Sequence, residues 1–322
     1  SAFASYSLQF FDPMQQLARI FGEMQMAQAS AERVFTLLDT EPEIVDTPAS
    51  LETEGDAFAP KKENWVPVRG EVVFEDVTFR YGDGPVVLKH FNLHVSPGQT
   101  IALVGQTGSG KSTIVNLLCR FYEPTSGRIL LDGVDIRAHS QAFLQSHLGY
   151  VLQAPHLFSG TIADNIRYGD PTASMERVRW AAEQVSAAPF IDHLPEGYQT
   201  QVGEGGNRLS TGQKQLISFA RALLPDPPLF VLDEATSSID TETEQLIQQA
   251  IERTFVGRTA FVIAHRLSTI RHADVILVLR HGTLIEKGTH EELMAQHGYY
   301  RRLYKNQFIA NEQKELLSGE KK

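Results

Sequence analysis

Apolar residues recur at helical spacing through the first part of the chain. After Pro13, the run up to residue 38 is rich in helix formers, with an apolar stripe made of Leu17, Ile20, Phe21, Met24, Val34, Phe35 and Leu38. This spacing predicts a long amphipathic helix over residues 1–38, and a stripe rich in Met and aromatic residues is typical of a packing face. Residues 39–69 change to Pro, Thr and acidic residues, which indicates a linker that is disordered in part.

From residue 70 onward, strand-like and helix-like runs follow one another. Residues 70–100 alternate apolar and polar residues around Gly-Asp-Gly-Pro, which predicts antiparallel strands joined by turns. Short apolar runs then alternate with helical patterns, and this order predicts an α/β fold with a mainly parallel central sheet. Residues 161–200 interrupt the order with short helix-like runs broken by Gly and Pro, which we interpret as a helical insertion. No fixed-period repeat is visible.

Composition narrows the class of protein. The chain has 322 residues, of which 42% are hydrophobic, enough for a globular core. Its net charge of −10 argues against long-range attraction to nucleic acid or anionic lipid. Cys119 is the single cysteine, so no disulfide forms within the chain, and its place in an apolar helical run predicts a core position. The sequence has neither a signal-peptide pattern nor an apolar run long enough to span a bilayer.

A glycine-rich stretch, IALVGQTGSGKST, carries the clearest chemical signal. Gly105, Gly110, Lys111 and Ser112 have the spacing of a phosphate-binding loop, in which backbone N–H groups and the start of the next helix form an anion site. In such a loop Lys111 reaches the β- and γ-phosphates and the Ser112 hydroxyl ligates Mg²⁺. We expect the whole loop to contact a nucleoside triphosphate: Gly105, Gln106, Thr107, Gly108, Ser109, Gly110, Lys111, Ser112 and Thr113.

A second acidic motif follows a buried strand. Four apolar residues, 229–232, precede Asp233 and Glu234, so both acids lie at the carboxyl end of a strand, where open α/β sheets bind ligands. Asp233 can hold Mg²⁺ through a water molecule, and Glu234 can orient the attacking water or accept its proton. Acids at this position also commonly cap the next helix. The phosphate-binding loop upstream favours the functional interpretation.

Five motifs in order give a specific resemblance. GQTGSGKST, YVLQAPHLFSGTIADNI, LSTGQKQ, FVLDEATSSID and VIAHRL resemble the nucleotide-binding domain of ATP-binding cassette (ABC) transporters, over about residues 70–305. Within the family the pattern is closest to exporters. The resemblance implies a P-loop NTPase-type sheet with an antiparallel β subdomain and a helical subdomain at about 155–225. It also implies that residues 1–38 extend the last membrane-crossing helix on the cytoplasmic face and that 306–322 form a helical tail.

The resemblance also implies roles for residues whose local sequence is not specific. Tyr81 would stack on adenine, Gln153 would touch Mg²⁺ and the γ-phosphate, and His265 would bind the γ-phosphate. From the residues alone, the favoured interpretations of these three are a strand-edge tyrosine, a solvated glutamine and a structural histidine. The Gln153 loop and the Glu204 loop would contact the membrane half. Other residues would serve ATP in a second, opposing domain: Ser210, Thr211, Gly212, Gln213 and Asp240.

The family sandwiches ATP between two such domains, so that ATP binding closes the pair and hydrolysis lets it open. This chain has Thr211 where the family usually has glycine, and a β-branched residue there restricts the loop or crowds the partner's ATP. We hypothesise that the chain retains a competent Glu234 and works with an unlike partner. A homodimer that tolerates threonine is the simpler alternative.

Three functions share these motifs. The first is the ATPase motor of an exporter of drugs, lipids or peptides. The second is a soluble ABC-type ATPase of DNA repair or translation, and the third is a regulatory module without hydrolysis. One cassette in an acidic chain argues against the second, and Lys111, Asp233, Glu234 and His265 argue against the third.

Overall fold

The computed structural model describes residues 2–233, 241–264 and 267–309. The chain divides into two compact units, of which one ends at Val45 and the other begins at Asp46. The sequence predicts the change of structure at Asp39 instead. The difference arises because residues 46–65 pack into the second unit.

The first unit is dominated by one helix, α1, which spans Ala2–Leu38 and includes Pro13. Its bounds agree with the helix predicted over residues 1–38. The side chains of its apolar stripe are exposed, for example Leu17 at 65% and Phe21 at 59%. Across the described residues, no helix combines the length and apolarity that crossing a membrane requires.

The second unit contains two β-sheets. Their strands are β1 Val72–Arg80, β2 Val86–Val95, β3 Thr100–Val104, β4 Ser126–Leu131, β5 Val134–Asp135, β6 Leu148–Val151, β7 Leu229–Asp233, β8 Thr259–Ile263, β9 Val275–Arg280 and β10 Thr283–Gly288. The six-stranded sheet has the order β10-β9-β3-β8-β7-β6. Its pairs are parallel except for β9 with β10. The four-stranded sheet, β2-β1-β4-β5, is antiparallel. The predicted mixed fold is therefore confirmed.

Helices cover the central sheet and fill the insertion. Besides α1 they are α2 Pro48–Glu54, α3 Lys111–Leu118, α4 Gln141–Ser146, α5 Ile162–Arg167, α6 Met175–Gln184, α7 Ala188–Asp192, α8 Thr211–Leu223, α9 Thr241–Phe255, α10 Leu267–Arg271, α11 His290–Ala295 and α12 Tyr299–Leu303. A π-helical turn, Tyr304–Ile309, follows α12. Helices α5–α8 form the predicted helical part, and residues 310–322 of the expected tail lie outside the described residues.

Two hydrophobic clusters lie on opposite faces of the central sheet. Along β3, Ala102 and Val104 join the cluster shared with the helical part, whereas Ile101 and Leu103 join the cluster shared with the antiparallel sheet. This alternation follows from the two-residue period of a strand. The sheet is therefore buried on both faces, which explains its continuous apolar strands.

Cys119 ends helix α3 and is buried, as the sequence predicts. Burial raises the pKa of its thiol well above the ordinary value because the thiolate would lose its hydration. The side chain therefore behaves as a small apolar group of the core.

Candidate nucleotide-binding site

The predicted phosphate-binding loop connects β3 to α3. Gly105 has φ of +158°, and a Cβ placed there would lie 2.4 Å from the carbonyl oxygen of Leu279. Only glycine lets the backbone run this close to β9. At the other end of the loop Gly110 precedes α3 and has no side chain to cap it. The first N–H groups of α3 therefore remain for an anion.

Lys111 lies folded over the loop. Its Nζ donates hydrogen bonds to the carbonyl oxygens of Gly105 at 2.8 Å and Gln106 at 3.1 Å, and its exposed fraction is 8%. Burial lowers the pKa of Lys111, and the charge of Asp233 partly opposes this shift. Phosphate oxygens offer the ammonium stronger, charge-assisted hydrogen bonds than these carbonyls. The geometry is that of a cation held next to an anion site.

The β9–β10 turn supports the loop from behind. The Gly282 amide donates to the Ser109 carbonyl at 3.1 Å, and the Gly282 carbonyl accepts from the Lys89 amide at 3.2 Å. Gly282 has φ of +75°, and a Cβ there would lie 1.8 Å from the Val87 carbonyl oxygen. This contact between the turn and the loop was not predicted from the sequence, although Gly282, which follows Arg280 and His281, is a recognisable turn signal.

The parallel strands bring the predicted catalytic positions to one edge. Asp233 is the last residue of β7, and Gln153 follows β6, with its side chain exposed. Strand β3, which carries the loop, runs in the same direction, so its carboxyl end lies at this edge too. The predicted residues Glu234, Asp240 and His265 lie outside the described residues.

The donor set at this edge suits Mg²⁺ bound with a nucleotide. Ser112, the second residue of α3, has an exposed side chain, and Asp233 and Gln153 offer further oxygen atoms. Within the described ranges, no cluster of three or more His, Cys, Asp or Glu side chains could hold a metal. Mg²⁺ typically takes one or two protein oxygens and completes its shell with phosphate and water. The residues present fit that pattern.

Tyr81 lies beside the loop helix. Its hydroxyl shares a hydrogen bond with the Thr113 hydroxyl at 3.1 Å. The ring makes edge contacts with Phe79 at 4.7 Å and Tyr122 at 4.9 Å between centroids, and the residue is 38% exposed. Tyr122, which is 37% exposed, was not singled out in the sequence, although it follows Phe121 shortly after the end of the loop helix. The two rings form an aromatic platform at the α3 side of the site.

A second helix start lies in the helical part. Ser210 accepts from the Gln213 amide at 3.2 Å, and the Gln213 side chain accepts from the Ser210 amide at 3.0 Å, which completes a capping box. Thr211 is the first residue of α8, is exposed and has no positive φ, whereas Gly212 is buried. Threonine therefore occupies the first position of α8 without a left-handed backbone conformation.

Comparison with known proteins identifies the family. Residues 88–237 match the family model described as ABC transporter. The chain contains an ABC transporter domain. It is 49% identical to the uncharacterised ABC transporter ATP-binding protein YfiC of Bacillus subtilis, over 95% of this chain and 49% of that protein. It is 48% identical to the probable multidrug resistance ABC transporter ATP-binding/permease protein YheH of the same organism, over 95% of this chain and 43% of that protein.

A solved structure gives the same family. A bacterial Atm1-family ABC exporter with ATP bound matches with a TM-score of 0.77 and 40% identity, over 94% of this chain and 51% of that chain. The chain thus spans about half the length of the relatives it matches. The ABC fold places the glycine-rich loop, the acidic strand end and the capped helix α8 on one domain that binds ATP.

Two loops of this ABC domain, predicted to contact a membrane half, are joined to one another. The Val202 amide donates to the Gly160 carbonyl at 3.0 Å, and Gly206 packs closely on buried Leu157. Glu204, which lies between Val202 and Gly206 in the sequence, is exposed. The segment after Gln153 and the segment around Glu204 are therefore in direct contact.

Exposed aromatic rings lie next to these loops. Phe158 and Tyr168 stack with 4.5 Å between centroids and are 42% and 62% exposed. Arg221 lies over both rings and donates to the carbonyl oxygens of Asn165 and His156. Burial lowers the pKa of this guanidinium. An ordered, partly apolar surface of this kind is suited to contact another protein element.

Proposed function

We propose that the chain is the ATP-binding and ATP-hydrolysing motor domain of an ABC exporter, and that it drives export of a drug, lipid or peptide. The observation that carries the proposal is the placement of buried Lys111, folded over its glycine-rich loop, at the same sheet edge as Asp233. That arrangement brings a cation, helix N–H groups and a carboxylate to a triphosphate, which is how P-loop enzymes promote phosphoryl transfer.

Each residue at the site has a defined task when ATP binds. Lys111 exchanges its bonds to the Gly105 and Gln106 carbonyls for bonds to phosphate oxygens. Ser112 and Asp233, with Gln153, hold Mg²⁺, which neutralises charge on the β- and γ-phosphates when it is bound.

Glu234 then orients the attacking water and accepts its proton, while His265 hydrogen-bonds the γ-phosphate. Tyr81 stacks on adenine. These tasks follow from the family resemblance together with the chemistry of each side chain.

The second ATP-binding surface is offered to an opposing domain. The capped start of α8, at Ser210, supplies a helix N-terminus to the partner's γ-phosphate, together with Thr211, Gly212 and Gln213, and Asp240 lies at the contact between domains. An unlike partner domain whose glutamate is replaced is our preferred arrangement, because Thr211 departs from the usual glycine. Co-purification of an unlike subunit supports this arrangement, and full cooperative hydrolysis by a homodimer contradicts it.

Coupling to transport runs through a membrane half on the same polypeptide. The relative YheH is an ATP-binding/permease protein, and this chain matches 43% of it. We place the Gln153 loop and the Glu204 loop against that membrane half, with α1 as the extension of its last helix. The motor domain then lies at the cytoplasmic face of the membrane and has no nucleic-acid partner.

Substitution of the proposed catalytic carboxylate tests this function. Glu234→Gln removes the base but retains the size and polarity of the side chain, so we expect phosphate release to stop while ATP-dependent association of the domains persists. Lys111→Ala provides the contrast, because it weakens nucleotide binding itself, as measured with a fluorescent ATP analogue. Unchanged phosphate release by Glu234→Gln would remove Glu234 from the mechanism.

A further inference from the structure

Residues 46–65, which we call the docked linker, are fixed to the nucleotide-binding unit by buried charge. The side chain of Asp46 is 11% exposed and that of Arg120 only 2%. Arg120 Nη1 donates to Asp46 Oδ1 at 3.2 Å, and the Gln141 amide donates to both carboxylate oxygens at 3.0 and 3.1 Å. The sequence of this segment, rich in acidic residues, gave no sign of this burial.

A second carboxylate of the docked linker is buried next to the first. Glu54 Oε1 lies 2.7 Å from His139 Nδ1, and Glu54 Oε2 accepts from the Ser140 amide at 2.5 Å. The Trp65 indole donates to the Glu54 carbonyl at 2.9 Å, and its ring meets Phe143 edge-on at 5.7 Å. Hydrogen bonds and an aromatic contact therefore fix the docked linker to residues 139–143.

Arg120 connects the docked linker to the nucleotide site. Helix α3 has the phosphate-binding loop at its beginning, and Arg120 follows its last turn after Cys119. The guanidinium also donates to the His139 carbonyl at 2.7 Å and to Glu123 at 3.0 Å. Helix α3 has eight residues, so about 12 Å of rigid rod separates its two ends.

The backbone of Arg120 is held in an unusual conformation. Its φ is +52°, a left-handed value that a long side chain adopts only when the surroundings impose it. Here the backbone turn that ends α3 imposes it: the Arg120 amide donates to the Leu117 carbonyl at 3.1 Å, and the Phe121 amide donates to the Asn116 carbonyl at 2.9 Å. The end of α3 is thus a hydrogen-bonded turn, and the Arg120 side chain that leaves it is bonded to Asp46, His139 and Glu123.

We propose that Arg120 and Asp46 are positioning residues that transmit nucleotide occupancy from α3 to the docked linker. When a triphosphate binds at the beginning of α3, the helix moves as a rigid body, and the Arg120–Asp46 pair carries the docked linker with it. Asp46 directly follows Val45, the last residue of the other unit, so the docked linker is the covalent connection between the units. The inference rests on the proposed function only in requiring that nucleotide binds at the loop.

Trp65 provides a reporter of the docked linker within this chain. The sequence contains two tryptophans, Trp65 and Trp180, so Trp180→Phe leaves Trp65 as the only tryptophan, which is excited selectively at wavelengths that tyrosine does not absorb. In that background we expect ATP with Mg²⁺ to change Trp65 emission, and we expect the change to saturate with nucleotide binding measured separately by a fluorescent ATP analogue.

Asp46→Asn tests the transmission. The substitution removes the charge opposite Arg120 but retains an acceptor oxygen, and we expect the ATP-dependent change in Trp65 emission to be lost. Because Asp46 lies at the far end of α3 from the loop, ATP affinity should stay within about twofold. Asp46→Glu, which restores the charge, should recover the response at least in part.

Glu123→Gln is the matched control. Glu123 bonds the same guanidinium but lies 35% exposed and outside the docked linker, so its variant should retain the full response. Circular dichroism checks that each variant is folded. If Asp46→Asn unfolds, deuterium exchange over residues 46–65 of the unsubstituted chain, with and without ATP, gives a second readout, and we expect ATP to change it. A full Trp65 response in folded Asp46→Asn, or exchange over residues 46–65 of the unsubstituted chain that ATP leaves unchanged, would overturn the inference. Absence of ATP binding by the unsubstituted chain would instead contradict the proposed function.

Discussion

The amide of Gly282 donates a hydrogen bond to the carbonyl of Ser109 at 3.1 Å, and this contact fastens the β9–β10 turn to the phosphate-binding loop. The same turn accepts a hydrogen bond from Lys89 of the antiparallel sheet. The loop is thus supported by two sheets before any nucleotide binds. A preorganised loop binds an anion without first paying the cost of ordering its backbone.

Gly282→Ala should weaken both the fold and the nucleotide site. The added methyl group would lie 1.8 Å from the Val87 carbonyl oxygen at a backbone φ of +75°, so the turn must shift. We expect the free energy of unfolding to fall by about 2–4 kcal/mol. ATP affinity should fall about tenfold, the value of one charge-assisted hydrogen bond. Chemical denaturation and titration with an ATP analogue measure the two effects.

Gly133→Ala separates strain from crowding in that experiment. Gly133 has φ of +82°, similar to Gly282, but a Cβ there meets nothing within 4 Å. Its variant should lose only about 1 kcal/mol of stability and bind ATP normally. Equal losses in both variants would mean that the contact between the turn and the loop has no special role.

ATP binding at alkaline pH should be accompanied by proton uptake at Lys111. Burial lowers the pKa of Lys111 in the free protein, whereas a bound triphosphate raises it, so between the two values binding adds a proton. ATP affinity should therefore decrease as the pH rises through that window. Calorimetry at alkaline pH, in two buffers that differ in ionisation enthalpy, should give different binding heats.

Lys111→Arg is the control for this linkage. A guanidinium remains charged throughout the alkaline range, so the variant should give the same binding heat in both buffers if it retains affinity. Equal heats in both buffers for the unsubstituted protein would show that Lys111 is already fully protonated without nucleotide.

Tyr81 should contribute to ATP affinity through its ring and to stability through its hydroxyl. Tyr81→Phe removes the hydrogen bond to Thr113 and should lower the free energy of unfolding by about 0.5–1.5 kcal/mol, with ATP affinity nearly unchanged. Tyr81→Ala should weaken ATP binding by about 1–3 kcal/mol. Inorganic triphosphate has no base to stack, so its affinity should be the same in all three proteins. A loss of triphosphate binding in Tyr81→Ala would point to a damaged loop instead.

Ser210 and Thr211 should have different effects at the start of α8. Ser210→Ala removes one half of the capping box and should lower stability by about 0.5–2 kcal/mol. If Thr211 crowds ATP held by an opposing copy, Thr211→Gly should raise the turnover of this chain alone by about tenfold, or about 1.4 kcal/mol of relieved crowding. Chemical denaturation measures the loss of stability in Ser210→Ala, and phosphate release measured against protein concentration measures the turnover of Thr211→Gly. No gain in Thr211→Gly favours a homodimer that tolerates threonine.

The parts of the site that were predictable are those whose signals are local. The phosphate-binding loop, its strand and its helix lie within residues 100–118, so glycine spacing and apolar periodicity were sufficient. The capped start of α8 is likewise contained in residues 210–213. Strand β10 was not predicted from the sequence. It is short, and its side chains alternate only between exposed and half-buried positions.

The contacts that hold the docked linker could not be predicted, because the residues that form them lie far apart in sequence. Asp46 and Arg120 are 74 positions apart, and Glu54 and His139 are 85 apart. Acidic residues between prolines are typical of a solvated linker, and only the fold reveals the buried cation that changes this expectation. The predicted linker over 39–69 therefore contains the docked linker, which includes helix α2.

The burial of Cys119 has a practical consequence for labelling chemistry. Its thiol is both inaccessible and held protonated, so maleimide or spin-label reagents have no native target in the sequence. A cysteine introduced into α1 or near Glu204 would be modified alone. Distances between such probes can then be followed through a catalytic cycle without first removing the natural residue and disturbing the packing around it.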